Sequence, residues 1–487
     1  MTARLSPATL GRLPPQIGRP GYDRGRLKRG VLHFGPGAFF RVHQAHVFDR
    51  LCETDPRWGI TAVSLKSPGV RDALAPQAGL YALCELEAEP RVRVIGAVLE
   101  VLVGPDDPEA VFARFRDPDL RLITVTVTEK GYCLGTNRAL DFGHPDVAAD
   151  LAAPRRPSSL VGWLVEGLRR RRDAGLPAPA VISCDNLPDN GRLLQAAACA
   201  YARRIEPGLA AWIEAAAFPC TMVDSITPAT DAVLRERAAA ALGVEDAWPV
   251  QRERFLQWVI EAHHDDAPPD WTSAGVTLTD DVRGWERTKL KLLNGPHSTL
   301  AYLGLLRGHA TVAEAMADAP LATFVRRLMV EDIAPTLDPD GPEATGYIEA
   351  VLARFRNPAV AHALAQIAWD GSQKLPVRLL GTIADALEAG RPVDRLAVPV
   401  AAWMRFVAWR LEKGETLVDP LAGQLFEAAK DGGGKAEATV DGFLAIEPVF
   451  PRTLAESVAF RRAVLNAWVG LAADSDWLPE THALQAS

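Results

Sequence analysis

The sequence lacks an apolar run long enough to cross a membrane. No hydrophobic stretch approaches the roughly 18 residues from which a membrane span is recognised. It also lacks an excess of positive charge, because 53 Lys and Arg residues stand against 61 Asp and Glu residues, a formal net charge of −8. Since nucleic-acid binding depends on a concentrated basic surface, we expect neither a membrane protein nor a nucleic-acid-binding protein.

Cysteine is scarce, and its spacing excludes two further classes. The six cysteines all lie between Cys52 and Cys220, without a Cys-x-x-Cys pair. This pattern predicts reduced, mostly buried thiols in a cytoplasmic protein rather than a disulfide framework or a zinc site. The stretch His263-His264-Asp265-Asp266 resembles a metal cluster, but adjacent side chains point in divergent directions. We therefore expect no metal site.

The first half of the chain alternates short apolar strands with helical stretches. Strands of five to eight residues separated by helices of 10 to 15 residues predict βαβ units and a mainly parallel, Rossmann-like sheet. Such sheets bind their ligands outside the carboxyl ends of the strands. The predicted strands lie in 30–37, 58–65, 91–102, 120–132 and 178–186, and the predicted helices in 38–53 and 159–175.

From about residue 280 the alternating strand pattern nearly vanishes and helical periodicity dominates. We therefore predict an α/β domain over residues 1–280 and a mainly α-helical domain over 281–487. Helices of the second domain are predicted at 285–306, 311–330, 345–355, 358–369, 376–389, 395–413, 420–430 and 453–472.

A glycine-containing turn follows the first predicted strand. Gly35-Pro36-Gly37 leads into a helix, so two glycines permit a tight turn and the helix N-terminus offers free N–H groups to a pyrophosphate. The dinucleotide fingerprint Gly-x-Gly-x-x-Gly has Phe40 at its third glycine position here. The context favours dinucleotide binding, and a plain turn between a strand and a helix is the alternative.

The second strand does not end in the acid that usually holds the adenosine ribose. It ends in Ser64-Leu65-Lys66-Ser67-Pro68, and Lys66 suits a 2′-phosphate. The residues alone leave the choice between NAD and NADP open.

The stretch Lys289-Leu-Lys-Leu-Leu-Asn-Gly-Pro-His297 carries reactive side chains around a Gly-Pro pair. On an ideal helix at about 100° per residue, with Lys289 at zero, Asn294 lies near 140° and His297 near 80°. Glu286 lies near 60°. Because Pro296 would clash with the carbonyl of the fourth residue before it, we expect one helix to end near Asn294. The next would begin with Gly295 as its cap, presenting free N–H groups.

These residue types suit hydride transfer at a secondary alcohol. A partly desolvated lysine can have a lowered pKa and exchange a proton, an asparagine amide can donate to a developing alkoxide, and a histidine can orient a hydroxyl. The alternative is a solvated lysine with a structural histidine. Other candidates at predicted strand ends are Asn186, which also suits a plain turn before the next helix, Thr128 with Glu129, and Asp224.

The chain resembles the long-chain, metal-independent polyol and sugar-acid dehydrogenases over nearly its whole length, most closely the fructuronate reductase branch. The motifs that carry the resemblance are G-x-G-A-F-x-R-x-H-Q-A (35–45), TVTEKGYC (126–133), SCDN (183–186), FPCTMVD (218–224), QWVIE (257–261), K-L-x-x-L-N-x-x-H-S (289–298), LAYLG (300–304) and DGSQKLPVRLL (370–380).

The resemblance implies NAD-dependent interconversion of D-fructuronate and D-mannonate, with NADP not excluded and a small sugar acid or polyol as the binding partner. It implies Lys289 as general acid/base, Asn186 and Asn294 as the oxyanion-stabilising pair, and His297 as the residue that positions the substrate. Asp224 and Glu286 would support these residues from outside the substrate contact or lie on the path of the proton. Lys374, with Arg378, would meet the uronate carboxylate. The residues implied for the cofactor are Gly35, Pro36, Gly37, Ala38, Phe39, Phe40, Arg41, Lys66, Thr128 and Glu129.

Three positions depart from the family pattern. Phe40, Ser225 and Ala262 stand where the family usually has His, Arg and Asp. Mannitol 2-dehydrogenase and tagaturonate reductase are therefore alternative functions within the same chemistry. A dinucleotide-binding sensor without turnover is the alternative from another class. The sequence does not indicate an oligomeric state.

Overall fold

The structure of the protein, a computed structural model, describes residues 3–87, 89–263, 267–338, 341–431, 435–474 and 477–479. The chain divides into two compact units, Met1–Arg283 and Gly284–Ser487. Among the described residues, no helix has both the length and the apolar character that a membrane span requires. All six cysteines are free and buried, as predicted.

The strands of the first unit form a parallel sheet and two smaller sheets. The parallel sheet has the order β5-β2-β1-β6-β7, and Val31 of its central strand is in register with Ile60 and Leu122 on either side. The two three-stranded sheets have the orders β4-β3-β9 and β11-β10-β8. The strands are β1 Val31–Phe34, β2 Ile60–Ser64, β3 Tyr81–Leu86, β4 Arg91–Ile95, β5 Val98–Val103, β6 Leu122–Val125, β7 Ala180–Ser183, β8 Thr221–Asp224, β9 Val250–Glu253, β10 Gln257–Glu261 and β11 Thr277–Thr279.

The predicted single strand over 91–102 is wrong, because the chain changes sheets at Gly96. The Gly96 N–H donates to the buried carboxylate of Asp49 at 2.8 Å, and its carbonyl accepts from Arg24 Nε at 2.8 Å. Both backbone groups are thereby removed from any ladder with a neighbouring strand. β4 consequently joins the sheet of β3, whereas β5 pairs with β2.

Helices cover both faces of the parallel sheet. Leu32 and Phe34 of β1 belong to one apolar cluster and Val31 to another, as the alternation of side chains along a strand requires. The predicted helix over 38–53 is interrupted at His43, whose φ of −109° and ψ of −88° are not helical. The helices are α1 Ala38–Val42, α2 Gln44–Leu51, α3 Gly69–Leu74, α4 Pro108–Phe115, α5 Pro145–Ala152, α6 Leu160–Asp173, α7 Asn190–Ile205, α8 Pro207–Glu214 and α9 Ala232–Leu242, with 3₁₀ turns at Leu10–Arg12, Arg24–Arg26, Ala75–Gln77 and Glu129–Tyr132.

The second unit is built from helices around one large apolar cluster. The predicted helix over 358–369 is reduced to α15, because the Asn357 side chain accepts the N–H of Ala359 across Pro358 and forms a turn. The α-helices are α10 Val282–Thr288, which contains the division between the units, α11 Gly295–Leu306, α12 Val312–Ala317, α13 Ala319–Arg327, α14 Ala344–Phe355, α15 Leu364–Ile367, α16 Gly371–Leu375, α17 Gly381–Glu388, α18 Asp394–Glu412, α19 Ala422–Asp431, α20 Ala436–Leu444, α21 Arg452–Ala455 and α22 Val458–Ala473.

In the described part of the second unit, three segments are π-helical, at Lys289–Asn294, Leu328–Ile333 and Pro376–Leu380, and a 3₁₀ turn occupies Ala334–Thr336. The predicted class, a Rossmann-like α/β region followed by a mainly helical region, is confirmed.

Candidate active site

A cavity of about 540 Å³ opens at the carboxyl ends of β1, β2 and β6 in the first unit. This is the edge at which open parallel sheets bind their ligands. The residues that line it are Gly35, Pro36, Gly37, Ser64, Leu65, Lys66, Ser67, Val70, Thr126, Val127, Thr128, Lys130, Gly131, Cys133, His144, Asp146, Ser158, Ser159 and Leu160.

The glycine turn after β1 lies directly against the end of β6. Gly35 has a φ of +96°, and a Cβ added there would lie 1.9 Å from the carbonyl oxygen of Thr126, so only glycine fits. At Gly37 the nearest atom to such a Cβ would be 4.0 Å away. A side chain at Gly37 would project into the open cavity, and its absence leaves room for a ligand against the backbone.

A buried histidine holds this turn in place. His33 Nδ1 lies 2.8 Å from Thr124 Oγ1, and its Nε2 lies 3.0 Å from the carbonyl oxygen of Gly35. Because a carbonyl can only accept, Nε2 carries the proton and Nδ1 accepts from the threonine. Burial lowers the pKa of His33 to about 3, so the ring is neutral near pH 7.

A buried carboxylate fixes the opposite wall. Asp185 accepts hydrogen bonds from the N–H groups of Val127 at 3.1 Å and Thr128 at 2.8 Å. It also accepts from the Tyr132 hydroxyl at 2.8 Å. Burial raises the pKa of Asp185. Sequence reasoning did not assign a role to this residue, although it stands within the SCDN motif beside Asn186.

The cofactor residues implied by the resemblance fall into two groups. Five of them, Gly35, Pro36, Gly37, Lys66 and Thr128, line the cavity. The others do not contribute to its lining: Ala38, Phe39, Phe40, Arg41 and Glu129.

Phe40 and Arg41 support the turn from inside the unit. The Phe40 ring stacks on His33 with centroids 3.5 Å apart. The Arg41 guanidinium lies over the rings of Tyr81 and Trp248. Arg41 is 1% exposed, and burial lowers its pKa to about 10. Both side chains therefore pack against neighbouring rings inside the unit and do not line the cavity.

The two asparagines after β7 have different environments. Asn190 is fully buried, and its Nδ2 donates to the carbonyl oxygens of Asp185 at 3.0 Å and Thr221 at 2.9 Å. Asn186 is exposed at the carboxyl end of β7, and Asp224 is buried at the end of β8. Asn190 therefore links the segment after β7 to β8. Asn186 has the more accessible side chain.

The predicted helix break at Gly295 is absent. The chain continues in helical conformation through Asn294 and Gly295, and the Gly295 N–H donates to the carbonyl of Leu290, five residues earlier. This π turn is wider than an α turn and accommodates Pro296 without the clash that an α-helix would impose. The expected new helix N-terminus with free N–H groups does not form.

The π turn changes which side chains share a face. In a helix whose hydrogen bonds join residues five apart, such residues lie on nearly the same face, as residues four apart do in an α-helix. Lys289 and Asn294 are related in this way, whereas an ideal α-helix separates them by about 140°. His297 follows three residues later in α11 and continues the same face.

His297 is buried among positive charges within the second unit. It is 7% exposed, its ring centroid lies 5.2 Å from that of His362, and its Nε2 has no hydrogen-bond partner. Burial, together with the nearby charges of Arg354 and Arg378, lowers its pKa well below the usual value. Burial and the same two arginines, with Lys374, also lower the pKa of His362.

Lys374 and Arg378 are one helical turn apart on α16 and the π segment that follows it. Lys374 Nζ donates to the carbonyl of Ile367 at 3.2 Å, and Arg378 Nη1 donates to Ser298 Oγ at 3.1 Å. Burial is the largest cause that lowers the pKa of each side chain. The charge of Arg378 lowers the pKa of Lys374 further, and the carboxylates of Asp370 and Asp419 partly offset that effect.

Sequence reasoning missed Arg354 and His362, because no motif or spacing connects them with Lys374.

Two π segments meet at Gly295. A Cβ added to Gly295 would lie 2.9 Å from the carbonyl oxygen of Arg378, so glycine allows the backbone of Pro376–Leu380 to pass close to α11. Glu286, like Lys289 and Asn294, is partly buried.

Among the described residues, no group of three or more His, Cys, Asp or Glu side chains is arranged to hold a metal ion. The stretch His263-His264-Asp265-Asp266 was predicted not to bind a metal. His264, Asp265 and Asp266 lie outside the described residues.

Comparison with known proteins places both halves of the chain in one family. The family model for the mannitol dehydrogenase Rossmann domain matches residues 29–273, and that for the mannitol dehydrogenase C-terminal domain matches 281–472.

The names of similar proteins differ in the substrate and the cofactor that they mention. D-mannonate oxidoreductase of Escherichia coli (strain K12) is 38% identical over 93% of this chain and 95% of its own length. Polyol:NADP oxidoreductase of Gluconobacter oxydans (strain 621H) is 39% identical over 84% of this chain and 86% of its own. The structure of Pseudomonas fluorescens mannitol 2-dehydrogenase in a ternary complex with NAD and D-mannitol matches with a TM-score of 0.79 at 34% identity, covering 99% of this chain and 100% of that chain.

Proposed function

The chain belongs to the mannitol dehydrogenase family, whose members are oxidoreductases acting on secondary alcohols, and we propose that it interconverts D-fructuronate and D-mannonate with NAD(H). The relatives divide between polyols and sugar acids, which differ in whether the substrate carries a carboxylate. The charge around His297 is the observation that supports our choice between them.

That charge favours an acid. Arg354, Lys374 and Arg378 all act on the histidine pair His297 and His362. The histidines are neutral near pH 7 because their pKa values are lowered. They therefore add no positive charge to that of the neighbouring arginines and lysine. Lys374 and Arg378 are partly buried cations one helical turn apart, and an anion that contacts both would be stabilised by them. A uronate carboxylate supplies that anion, and planar guanidinium groups suit it well.

The first unit fits a dinucleotide. Its cavity lies at the carboxyl ends of a parallel sheet, with the Gly37 backbone open to a ligand. We assign the pyrophosphate to the backbone of Gly35, Pro36 and Gly37, with Lys66 and Thr128 lining the same cavity. The bound dinucleotide supplies the hydride.

We assign the group that exchanges the proton to the second unit. We propose Lys289 as the group that exchanges a proton with the substrate oxygen, and Asn294, aligned with it by the π turn, as a donor to that oxygen. His297 positions the substrate hydroxyl. Asn186 is assigned a second donor role, and Asp224 and Glu286 are proposed to support these groups.

The test is an NADH-oxidation assay with D-fructuronate, D-tagaturonate and D-fructose side by side, repeated with NADPH. We expect the highest kcat/KM with fructuronate. Turnover of fructose alone would identify a mannitol 2-dehydrogenase and refute the sugar-acid assignment, and a preference for tagaturonate would move the assignment to the other acid. Dinucleotide binding without turnover of any of the three would support a sensor.

A further inference from the structure

Lys66, at the end of β2, stands beside a carboxylate from a distant part of the chain. Its Nζ lies 3.7 Å from Asp146 Oδ2. Asp146 is the second residue of α5. Its N–H donates a hydrogen bond to Nδ1 of the N-cap residue His144 at 3.2 Å. The pair lies where a dinucleotide fold places the adenosine ribose, because β2 neighbours the strand that leads into the glycine turn.

Two cavities meet at this ion pair. The cavity that contains the glycine turn is adjoined by another of about 820 Å³, and Leu65, Lys66, Asp146 and Ser158 line both. A dinucleotide with its pyrophosphate on the glycine turn has space for its adenosine in the second cavity, and its ribose then passes Lys66 and Asp146.

The wall that carries Asp146 is fixed by hydrogen bonds. Asp150, one turn further along α5, accepts from the N–H groups of Ser158 at 2.6 Å and Ser159 at 2.9 Å, and from Ser159 Oγ at 2.6 Å. α5 and the segment that lines both cavities are therefore tied together. This anchoring sets the position of the Asp146 backbone at the cavity mouth.

The surrounding charge does not suit a phosphate. Four basic side chains line the two cavities, Lys66, Lys130, Arg155 and Arg156, and four acidic ones accompany them, Asp106, Asp107, Glu109 and Asp146. A 2′-phosphate carries up to two negative charges, and it would enter next to Asp146. Lys66 lines both cavities and already has the Asp146 carboxylate 3.7 Å from its Nζ.

We propose that Asp146 is the residue that selects NAD over NADP: its carboxylate accepts the hydrogen bond from the adenosine ribose 2′-hydroxyl and repels a 2′-phosphate. The acid missing from the end of β2 in the sequence is thus supplied in space from α5. The inference rests on the dinucleotide site proposed above, but not on the identity of the ketose.

The experiment measures dissociation constants for NADH and NADPH by nicotinamide fluorescence on the full chain without substrate. We expect the unaltered protein to bind NADH at least about tenfold more tightly than NADPH, and Asp146→Ser to reduce that ratio at least about tenfold. Asp146→Asn, which keeps the shape of the side chain, should reduce the ratio in the same direction. Adding Lys66→Ala to Asp146→Ser should remove the gain in NADPH binding.

Asp173→Ser is the matched control, because it removes another carboxylate that pairs with cations, at the far end of α6. It should leave the ratio unchanged. A preference for NADPH in the unaltered protein, or the same ratio in Asp146→Ser as in Asp173→Ser, would overturn the inference. Binding of neither dinucleotide would overturn it together with the dinucleotide site. NADH binding without turnover of a ketose would overturn only the proposed substrate, and the affinity ratio would still decide the role of Asp146.

Discussion

Replacing Gly295 by alanine tests the close approach of the two π segments. Gly295 has helical φ and ψ, so alanine would ordinarily stabilise the helix by about 1 kcal/mol. Its Cβ would, however, lie 2.9 Å from the Arg378 carbonyl oxygen. The backbone of Pro376–Leu380 would have to move by several tenths of an ångström, and such overpacking costs about 1–3 kcal/mol.

Gly381 provides the matched control. It too is the first residue of an α-helix that follows a π segment, but the nearest atom to its Cβ would be 3.8 Å away. Gly381→Ala should therefore gain the helix propensity without the steric cost. The two variants should differ by about 1–3 kcal/mol, with Gly295→Ala the less stable.

Thermal unfolding with steady-state kinetics checks the prediction. For a unit of about 200 residues, 1 kcal/mol corresponds to about 2–4 °C in Tm, so Gly295→Ala should melt at least about 2 °C below Gly381→Ala. Because Arg378 would also be displaced from Ser298, KM for fructuronate should rise in Gly295→Ala alone. Equal Tm values, or a more stable Gly295→Ala protein, would show that the π segments do not constrain each other at this glycine.

Three further outcomes are expected. Lys289→Ala should lower kcat by at least about 10²-fold in the NADH assay, and an active variant would place the proton-exchanging group elsewhere. Lys374→Met should raise KM for fructuronate at least about tenfold and change KM for fructose less than about twofold; equal effects on both would contradict a carboxylate contact. The pKa of His33 is about 3 in the folded protein and about 6.5 when unfolded, so the unfolded chain takes up the proton first as pH falls. Its contribution is constant above about pH 6.5 and is lost at up to about 1.4 kcal/mol per pH unit below it. The stability advantage of the unaltered protein over His33→Gln in urea unfolding should therefore be smaller at about pH 5 than at about pH 7, and an unchanged advantage would refute the neutral, buried histidine.

The fold class follows from sequence patterns that depend on local chemistry. Short apolar strands alternating with helices predicted the parallel sheet, and Gly35-Pro36-Gly37 predicted the turn at its edge, because both depend on neighbouring residues. The helix break at Gly295 was predicted wrongly, since the prediction considered only an α-helical clash of Pro296 and the chain forms a π turn at Lys289–Asn294 instead.

Contacts between distant parts of the chain were beyond the sequence. Asp146 and Lys66 belong to different βα units, and nothing in their spacing indicates that they meet. Likewise, the positive surroundings of His297 arise from α14 and the Pro376–Leu380 segment, which only tertiary packing brings to it. Arg41 matched a family motif, yet its side chain is packed between Tyr81 and Trp248, so a motif match located the loop without showing which atoms face the ligand.

The π turn at Lys289–Asn294 also bears on how this helix can change by mutation. A π turn holds one more residue than the α turn it replaces, so deletion of a single codon between these two residues would restore a regular α-helix. Lys289 and Asn294 would both survive such a deletion and, four residues apart on an α-helix, would still lie about 40° from each other. The regular helix would instead bring the ring of Pro296 against the carbonyl of the fourth residue before it. We therefore expect a deletion within this turn to lower stability through Pro296, although the two polar side chains would keep a common face.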